Sequence, residues 1–584
     1  MTSEQSSGAR GRTYILGADG ATWSVIERLL DAGDLPNFRR AMDAGAFGPL
    51  ESVENMRSAS AWTSMFTGCN PGKHGIYEFY EFLPESYSLK FINGSYKQVP
   101  GFWTYLDRDG QSVGLINVPM TYPAEPVAQG YSIAGLDGPG KSSPRFGYPD
   151  DFIETLESKM GRDYVVEPGL TSAIARGNPQ EAVDLLMDEL ESKTRALEVM
   201  LNDMPVDCLE FVYRSLDAAQ HGFWKWMDPT HPKHDPNATA ENAKYGRVID
   251  DVYRHIDGAL GMILDHMGPD DSLLVLSDHG FGPKCPVSSQ LNRWLEAHGY
   301  LVYEKGGDQP GLVSKLLKVV ASKTSRKTKE RLARLLPWLR DWAQSKALFS
   351  GVDWSKTRVY SDAQFPRLRL NIKGREGQGI VDPADAPALM KELRAKLSEM
   401  RDSKTGEPIV RDIFFKEEIY KGAHTGPAED ILVRWREDII IHGVEMPPGF
   451  EQPEDELSVM PGEDPKVISG DHQIHGVFLG VGPAFRPGAQ VEGLRLLDMT
   501  PTILHLRGLP IPSNMDGRVM TAAMTDDWLT AHPVRTTDTT LESPSTTPTD
   551  RNGGNSSTDS SAAAYSEEEE KVLEERLRSL GYIE

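Results

Sequence analysis

Three runs of strand-forming, apolar residues in this chain stop on an aspartate. YILGADG (residues 14–20) ends at Asp19, CLEFVYRSLD (208–217) reaches Asp217, and SLLVLSDHGFG (272–282) breaks at Asp278-His279. Runs this apolar belong inside a sheet covered on both faces, and such sheets are mostly parallel, with helices between the strands. The stretch from Thr13 to about Tyr300 has that alternation: SVGLINVP and YSIAGL read as further strands, and EAVDLLMDELESKTRALEVML as a covering helix. The expected fold class is α/β, a three-layer αβα sandwich around a mostly parallel sheet. Ligands of open α/β sheets bind outside the carboxyl ends of the strands, where all three aspartates fall.

Three carboxylates gathered in one crevice would repel and raise each other's pKa, and a cation is the simplest means of holding them together. Imidazoles are close by in sequence. Asp217 and His221 are spaced i,i+4 and share a face if a helix starts there. His279 follows Asp278, and GDHQIHG (470–476) offers His472 or His475. Carboxylate-plus-imidazole sets suit zinc or manganese better than calcium or magnesium. Each residue also has a plainer role, Asp217 as a helix N-cap and Asp-His-Gly as a self-satisfied turn; the joint pattern is what points to metal. His74, in NPGKHGIYEF, reads as a turn residue, while His424 and His442 carry no assignment.

Composition narrows the class. A net charge of −24 excludes a nucleic-acid polymer as the main partner, which would need a basic footprint. The N-terminus lacks a signal pattern and no stretch of about 18 apolar residues follows, so a cytoplasmic protein is expected. Cys69, Cys208 and Cys285 make neither a disulfide framework nor a CxxC site.

The expected organisation is a disordered lead (1–12), the α/β core (13–300), a helical and mixed cap insertion (301–425), and the core resumed (426–525) through DILVRW, DIIIHG and GVFLGVGPAF. A disordered Ser/Thr-rich linker (526–565) and an amphipathic helix (566–584) follow. Residues 315–340 are basic and helical in pattern. Their charge either draws anionic substrate or lipid, with Trp338 and Trp342 as interfacial anchors, or is a solvated face over Leu316, Leu317, Leu332, Leu335 and Leu339. The final helix has a capping box, Ser566 with Glu569, a stop at Gly581, and Leu573, Leu577 and Leu580 on one face. It must dock on this chain or on another, so a peripheral membrane or partner contact falls to the basic cap or this helix.

Taken in order, ADG, SASAWTSMFTGCNPGKHGIYEF, YRSLDAAQHG, LSDHGFG, GDHQIHGVFLGVGPAF and LLDMTPTILHLRGLPIPSNMDGR resemble the alkaline phosphatase superfamily. The type I phosphodiesterase/nucleotide pyrophosphatase branch is the nearest, over about Thr13 to Ala523. The resemblance implies an alkaline-phosphatase-like fold with two divalent metal ions, Zn2+ or alternatively Mn2+, flanking a Ser or Thr nucleophile at a helix start. Thr67-Gly68, Pro71 and His74-Gly75-Ile76 match the family segment, and counting back places the nucleophile at Ser58, with Ser60 and Thr63 as neighbouring alternatives. One metal would be held by Asp19, Ser58, Asp278 and His279, the second by Asp217, His221 and His472, with His475 the alternative to His472.

Two departures stand out. Ala61 occupies the position of an Asn that in many relatives binds a phosphate oxygen, leaving Arg57 as the nearest candidate for that task, and Ser replaces the usual Thr. No Cys-x-Pro-x-Arg element marks a sulfatase. The implied activity is hydrolysis of small anionic phosphate esters, diesters or pyrophosphates first, with a monoesterase or phosphotransferase as the alternative. A non-catalytic interaction protein is the third reading.

Overall fold

The computed structural model describes residues 11–166, 169–304, 349, 351–361, 366–450, 468–541, 565–566 and 569–574. Its centre is a ten-stranded sheet. Five neighbouring strands, Ser272–Leu276, Thr13–Ala18, Cys208–Tyr213, Val113–Val118 and Gly130–Ala134, run parallel. His475–Val481 joins antiparallel between Ser272–Leu276 and Gly45–Glu51, and Gly147–Tyr148 closes the far side, also antiparallel. The sheet is mixed and mostly parallel, with helices on both faces. Successive side chains of a strand point to opposite faces. Tyr14 accordingly meets His266 of the helix Val248–His266, while a Cβ on Gly17 would lie 2.6 Å from Trp62 of the helix Ser58–Thr67. That glycine lets the Ser58 helix approach the sheet closely enough to reach the strand ends.

A second apolar cluster, including Val287, Leu291, Trp294, Tyr360, Leu368 and Ile431, forms the cap. Its sheet has the order Val359–Tyr360, Arg367–Leu370, Ile431–Trp435, Val410–Phe415, all antiparallel. The cap therefore begins before residue 301 and ends after 425. DILVRW belongs to it and not to the resumed core, because Ile431–Trp435 is a central strand with partners only in the cap. DIIIHG is not a strand: His442 N–H donates to Asp402 Oδ2 at 2.6 Å and closes a loop there. The basic stretch 315–340 lies outside the described residues.

Order at both ends runs further than expected. Arg12 N–H donates to Asp271 Oδ1 at 2.6 Å. The helix Asp526–Ala531 is capped by Thr525, whose Oγ1 accepts from Trp528 N at 3.2 Å, and Thr536–Thr537 pairs in parallel with Ile511–Pro512. The expected linker is thus ordered up to residue 541; 542–564 lie outside the described residues. Tyr565 then stacks on Tyr122, centroids 5.7 Å apart, and donates to the Asp137 carbonyl at 2.6 Å. The Ser566/Glu569 capping box forms, and Tyr122 Oη donates to Glu569 Oε1 at 3.0 Å. Leu573 is fully buried in the main core; Leu577, Leu580 and Gly581 lie outside the described residues. The segment docks on its own chain.

Tyr565→Ala is expected to destabilise the protein by about 2–4 kcal/mol through lost burial and stacking, read as an earlier denaturation midpoint and faster proteolytic removal of the C-terminus. An unchanged midpoint would show that this docking carries no stability.

Candidate metal centre

The carboxyl ends of three adjacent strands bring the aspartates together. Asp19 follows Thr13–Ala18; its N–H donates to the Tyr213 carbonyl at 3.1 Å, and Gly20 turns the chain at φ 73°. Asp217 lies in the first turn of the helix Ser215–Met227, with His221 one turn later. Asp278 and His279 leave Ser272–Leu276, and the short strand Gly280–Pro283 pairs antiparallel with Gly470–Gln473, placing Phe281 opposite His472. His472 thereby enters the cluster. His475 lies past a bend at Ile474, at the start of the strand His475–Val481, and is exposed.

The side chains converge closely. His279 Nε2 is 3.3 Å from Asp278 Oδ2 and 3.7 Å from Asp19 Oδ1, and Ser58 Oγ lies 3.4 Å from the same nitrogen. Asp217 Oδ1 is 3.3 Å from both His221 Nε2 and His472 Nε2, which are 3.1 Å apart. One donor set is Asp19, Asp278 and His279; another is Asp217, His279 and His472, each within 4.8 Å throughout. His279 sits between them, its ring stacked 3.7 Å from that of His472.

The hydrogen bonds behind the histidines test whether this cluster suits a cation. Nδ1 of His221 faces the Gly470 carbonyl at 2.9 Å, that of His279 the Gly280 carbonyl at 3.0 Å, and that of His472 the Met56 carbonyl at 2.7 Å. A carbonyl only accepts, so each Nδ1 carries a proton and the Nε2 of each ring faces inward, where in the neutral form it offers a lone pair, the arrangement of metal-ligating histidines. Asp19 Oδ1, Asp278 Oδ2 and both Asp217 oxygens are buried there without a hydrogen-bond donor.

Burial, with the neighbouring carboxylates, raises Asp19 to about 7 and Asp278 well above the usual carboxylate range. Burial also pushes His279 well down, and His472 adds to it. Burial works against the Asp217 carboxylate, but His221 and His472 hold its pKa well below normal; Asp217 in turn overcomes the effect of burial on His221 and raises it. A proton on His221 can satisfy Asp217, yet it leaves Asp19, Asp278 and His279 unsettled. Divalent cations fit both donor sets, each of which combines carboxylate with imidazole.

Ser58 is the first residue of the helix Ser58–Thr67 and is fully buried. The Thr63 hydroxyl is committed within the helix, donating to the Ala59 carbonyl at 2.6 Å. Ser60 and Ala61 are buried in the same helix. Arg57 caps it and does not face solvent: its Nε donates to Glu78 Oε2 at 2.6 Å, and Glu78 also meets Arg367 of the cap at 3.4 Å. His74 is the turn residue that its sequence suggests, accepting from Ile76 N–H at 3.1 Å, with Ser64 Oγ 2.9 Å from its other nitrogen; burial lowers it to about 3.

Two supporting residues have no sequence signature. Trp62 Nε1–H donates to Asp19 Oδ2 at 3.0 Å. Gln220 Nε2–H donates to the Gly20 carbonyl at 2.7 Å while Tyr253 Oη, 3.3 Å away, engages its Oε1, so the helix carrying Asp217 and His221 grips the loop carrying Asp19.

The profile of the type I phosphodiesterase/nucleotide pyrophosphatase family matches residues 13–464. The chain belongs to that family. It is a phosphoric ester hydrolase of the alkaline phosphatase superfamily. Murine ectonucleotide pyrophosphatase/phosphodiesterase 5 in complex with AMP is similar in structure at 13% identity, covering 88% of this chain and 100% of that one, TM-score 0.46. Phosphonoacetate hydrolase from Sinorhizobium meliloti 1021 in complex with phosphonoformate is similar at 14% identity over 84% of this chain and 94% of that one, TM-score 0.48. No curated protein matches the chain. Among the described residues, no helix of this hydrolase is long and apolar enough to cross a membrane.

The raised carboxylates set the pH behaviour of the metal-free protein. Asp19 and Asp278 hold protons in the folded state that they release when unfolded, so the stability they contribute is full below about pH 4 and is lost as pH rises through about 7, the value reached by Asp19. Asp278→Asn removes one of the repelling charges. It is expected to stabilise the metal-free protein at pH 8 by on the order of 1–3 kcal/mol relative to wild type, with the gain shrinking towards pH 5 and zinc affinity falling. A destabilised variant at pH 8 would contradict this account of the cluster.

Proposed function

We propose that the protein is a metal-dependent hydrolase of phosphate diesters or pyrophosphate linkages with Ser58 as nucleophile. The observation that carries this reading is the position of Ser58 Oγ, at a helix start and against the junction of the two carboxylate–imidazole sets. Asp19, Asp278 and His279, with Ser58, would hold one divalent ion, and Asp217, His221 and His472 the other. When bound, such ions supply Lewis acidity: they ease deprotonation of a hydroxyl or water and offset charge on the phosphoryl group.

The chain's own residues do the rest. Ser58 Oγ attacks phosphorus in line with the departing ester oxygen, which leaves as the free alcohol or phosphate with the proton that Ser58 gives up, and the seryl phosphodiester formed keeps the other arm; water then cleaves the P–O bond to Ser58, restoring the hydroxyl and releasing the phosphomonoester. A helix N-terminus favours an anion, and the first amides of the Ser58 helix are the backbone donors next to the nucleophile. They support the anion in the absence of an Asn at Ala61. Trp62 and Gln220 orient the Asp19 loop, and the three backbone carbonyls behind His221, His279 and His472 keep the imidazoles aimed inward.

The test is hydrolysis of bis-p-nitrophenyl phosphate and p-nitrophenyl phosphate by metal-stripped protein with zinc or manganese restored. Diester cleavage should return with metal and fall by at least about 10³-fold in Ser58→Ala. Cleavage of the monoester alone would replace the reading with a phosphatase or mutase, and a protein that binds neither metal would replace it with a non-catalytic role.

A further inference from the structure

Beside His472 and Met56 the centre opens into a cleft between the start of the Ser58 helix and the cap sheet. Much of its wall is apolar: Met56, Phe414, Trp435 and the run Ile439-Ile440-Ile441. Ile440 is 38% exposed, one of three large hydrophobic residues exposed among the described residues. The wall also contains guanidinium groups, but carboxylates already hold them. Arg434 pairs with Glu54 and lies over the Phe414 ring, Arg367 meets Glu429 at 3.1 Å, and Arg436 pairs with Asp438 at 2.6 Å. Glu437 and Asp471 add negative charge to the same wall. Lys284 also lines the wall; the guanidinium groups that a second phosphate would meet here are already in ion pairs, with carboxylates beside them, in a chain of net charge −24. An uncharged apolar group meets neither obstacle and gains from covering Ile440 and its neighbours.

We propose that this cleft seats an uncharged alkyl or aryl arm of the substrate, so that the preferred substrates are amphiphilic phosphodiesters and not pyrophosphates carrying a second charged phosphate. The inference rests on the hydrolase reading above for the position of the phosphorus, and it adds the chemistry of one ester arm. Ile440 is the specificity-determining residue it singles out, because that side chain is both apolar and open to the cleft.

The experiment uses the full-length protein loaded with zinc or manganese and the methyl, hexyl and decyl p-nitrophenyl phosphate diesters, with ATP for comparison. Expected is a rise in kcat/KM of about three- to fourfold per methylene until the cleft is filled, a decyl ester that far outperforms ATP, and loss of the decyl-to-methyl ratio in Ile440→Asp but not in Ile440→Leu. Calorimetric titration with decylphosphonate, methylphosphonate and ADP reads the same preference without turnover. Methyl ester cleaved with no gain from chain length, or ADP bound more tightly than decylphosphonate, would overturn the inference and leave the hydrolase reading standing. Decylphosphonate bound more tightly than methylphosphonate, with the gain erased by Ile440→Asp and no diester cleaved, would support the cleft assignment and overturn the hydrolase reading.

Discussion

Burial of Asp19, Asp217 and Asp278 around one shared imidazole, His279, is the constraint on which the remaining architecture depends. All three are fully excluded from solvent at the carboxyl ends of adjacent strands. Desolvation alone penalises each charge, and mutual repulsion adds to it, so a packed core of this kind is stable only if protons or cations occupy it. The parallel sheet makes the cluster unavoidable: Thr13–Ala18 has Cys208–Tyr213 on one side and Ser272–Leu276 on the other, so whatever ends those strands must meet. The three histidines complete it because backbone carbonyls from Gly470, Gly280 and Met56 hold their outer nitrogens. Each of these three histidines is thus anchored to the backbone on its outer side, while its inner side meets the other ligand side chains.

Support for the cluster comes from elements far apart in sequence. Gly17 admits the Ser58 helix against the sheet, and Trp62 on that helix then reaches Asp19. Gln220 and Tyr253 tie the Asp19 loop to two helices on the opposite face. On the outer side, Arg57, Glu78, Arg367 and Glu429 form a buried chain of ion pairs running from the cap of the Ser58 helix into the cap sheet. Such pairs contribute little net stability compared with apolar packing, but removing one member strands a buried charge. Their effect is to fix how the cap sits over the nucleophile, and the apolar cleft lies along that same seam.

Much of the core was legible in the sequence because a buried parallel strand has a local signature. YILGAD, SVGLINVP, YSIAGL, CLEFVYR and SLLVLSD are all strands of the central sheet, and the alternation with helices predicted their parallel arrangement. Asp19, Ser58, Asp217, His221, Asp278, His279 and His472 were readable as candidates from residue type and motif order. The cap was read less well. DILVRW looks like any buried strand, and nothing in its own residues says that its partners are Arg367–Leu370 and Val410–Phe415. Composition suggested a loose linker after residue 525, but the helix Asp526–Ala531 and the strand Thr536–Thr537 are held by contacts with Arg486 and Ile511, which no local rule reports.

The sequence by itself determined the elements, their layering and the supply of ligating side chains, because helix and strand periodicity and chain reversal are properties of neighbouring residues. Tertiary structure alone decided which nitrogens turn inward, that His472 and not His475 joins the cluster, that Arg57 is bound to Glu78, and that Tyr565 returns to Tyr122. Those outcomes depend on groups hundreds of residues apart sharing a low-dielectric interior, where a single carbonyl or carboxylate within hydrogen-bonding distance determines the direction of a side chain.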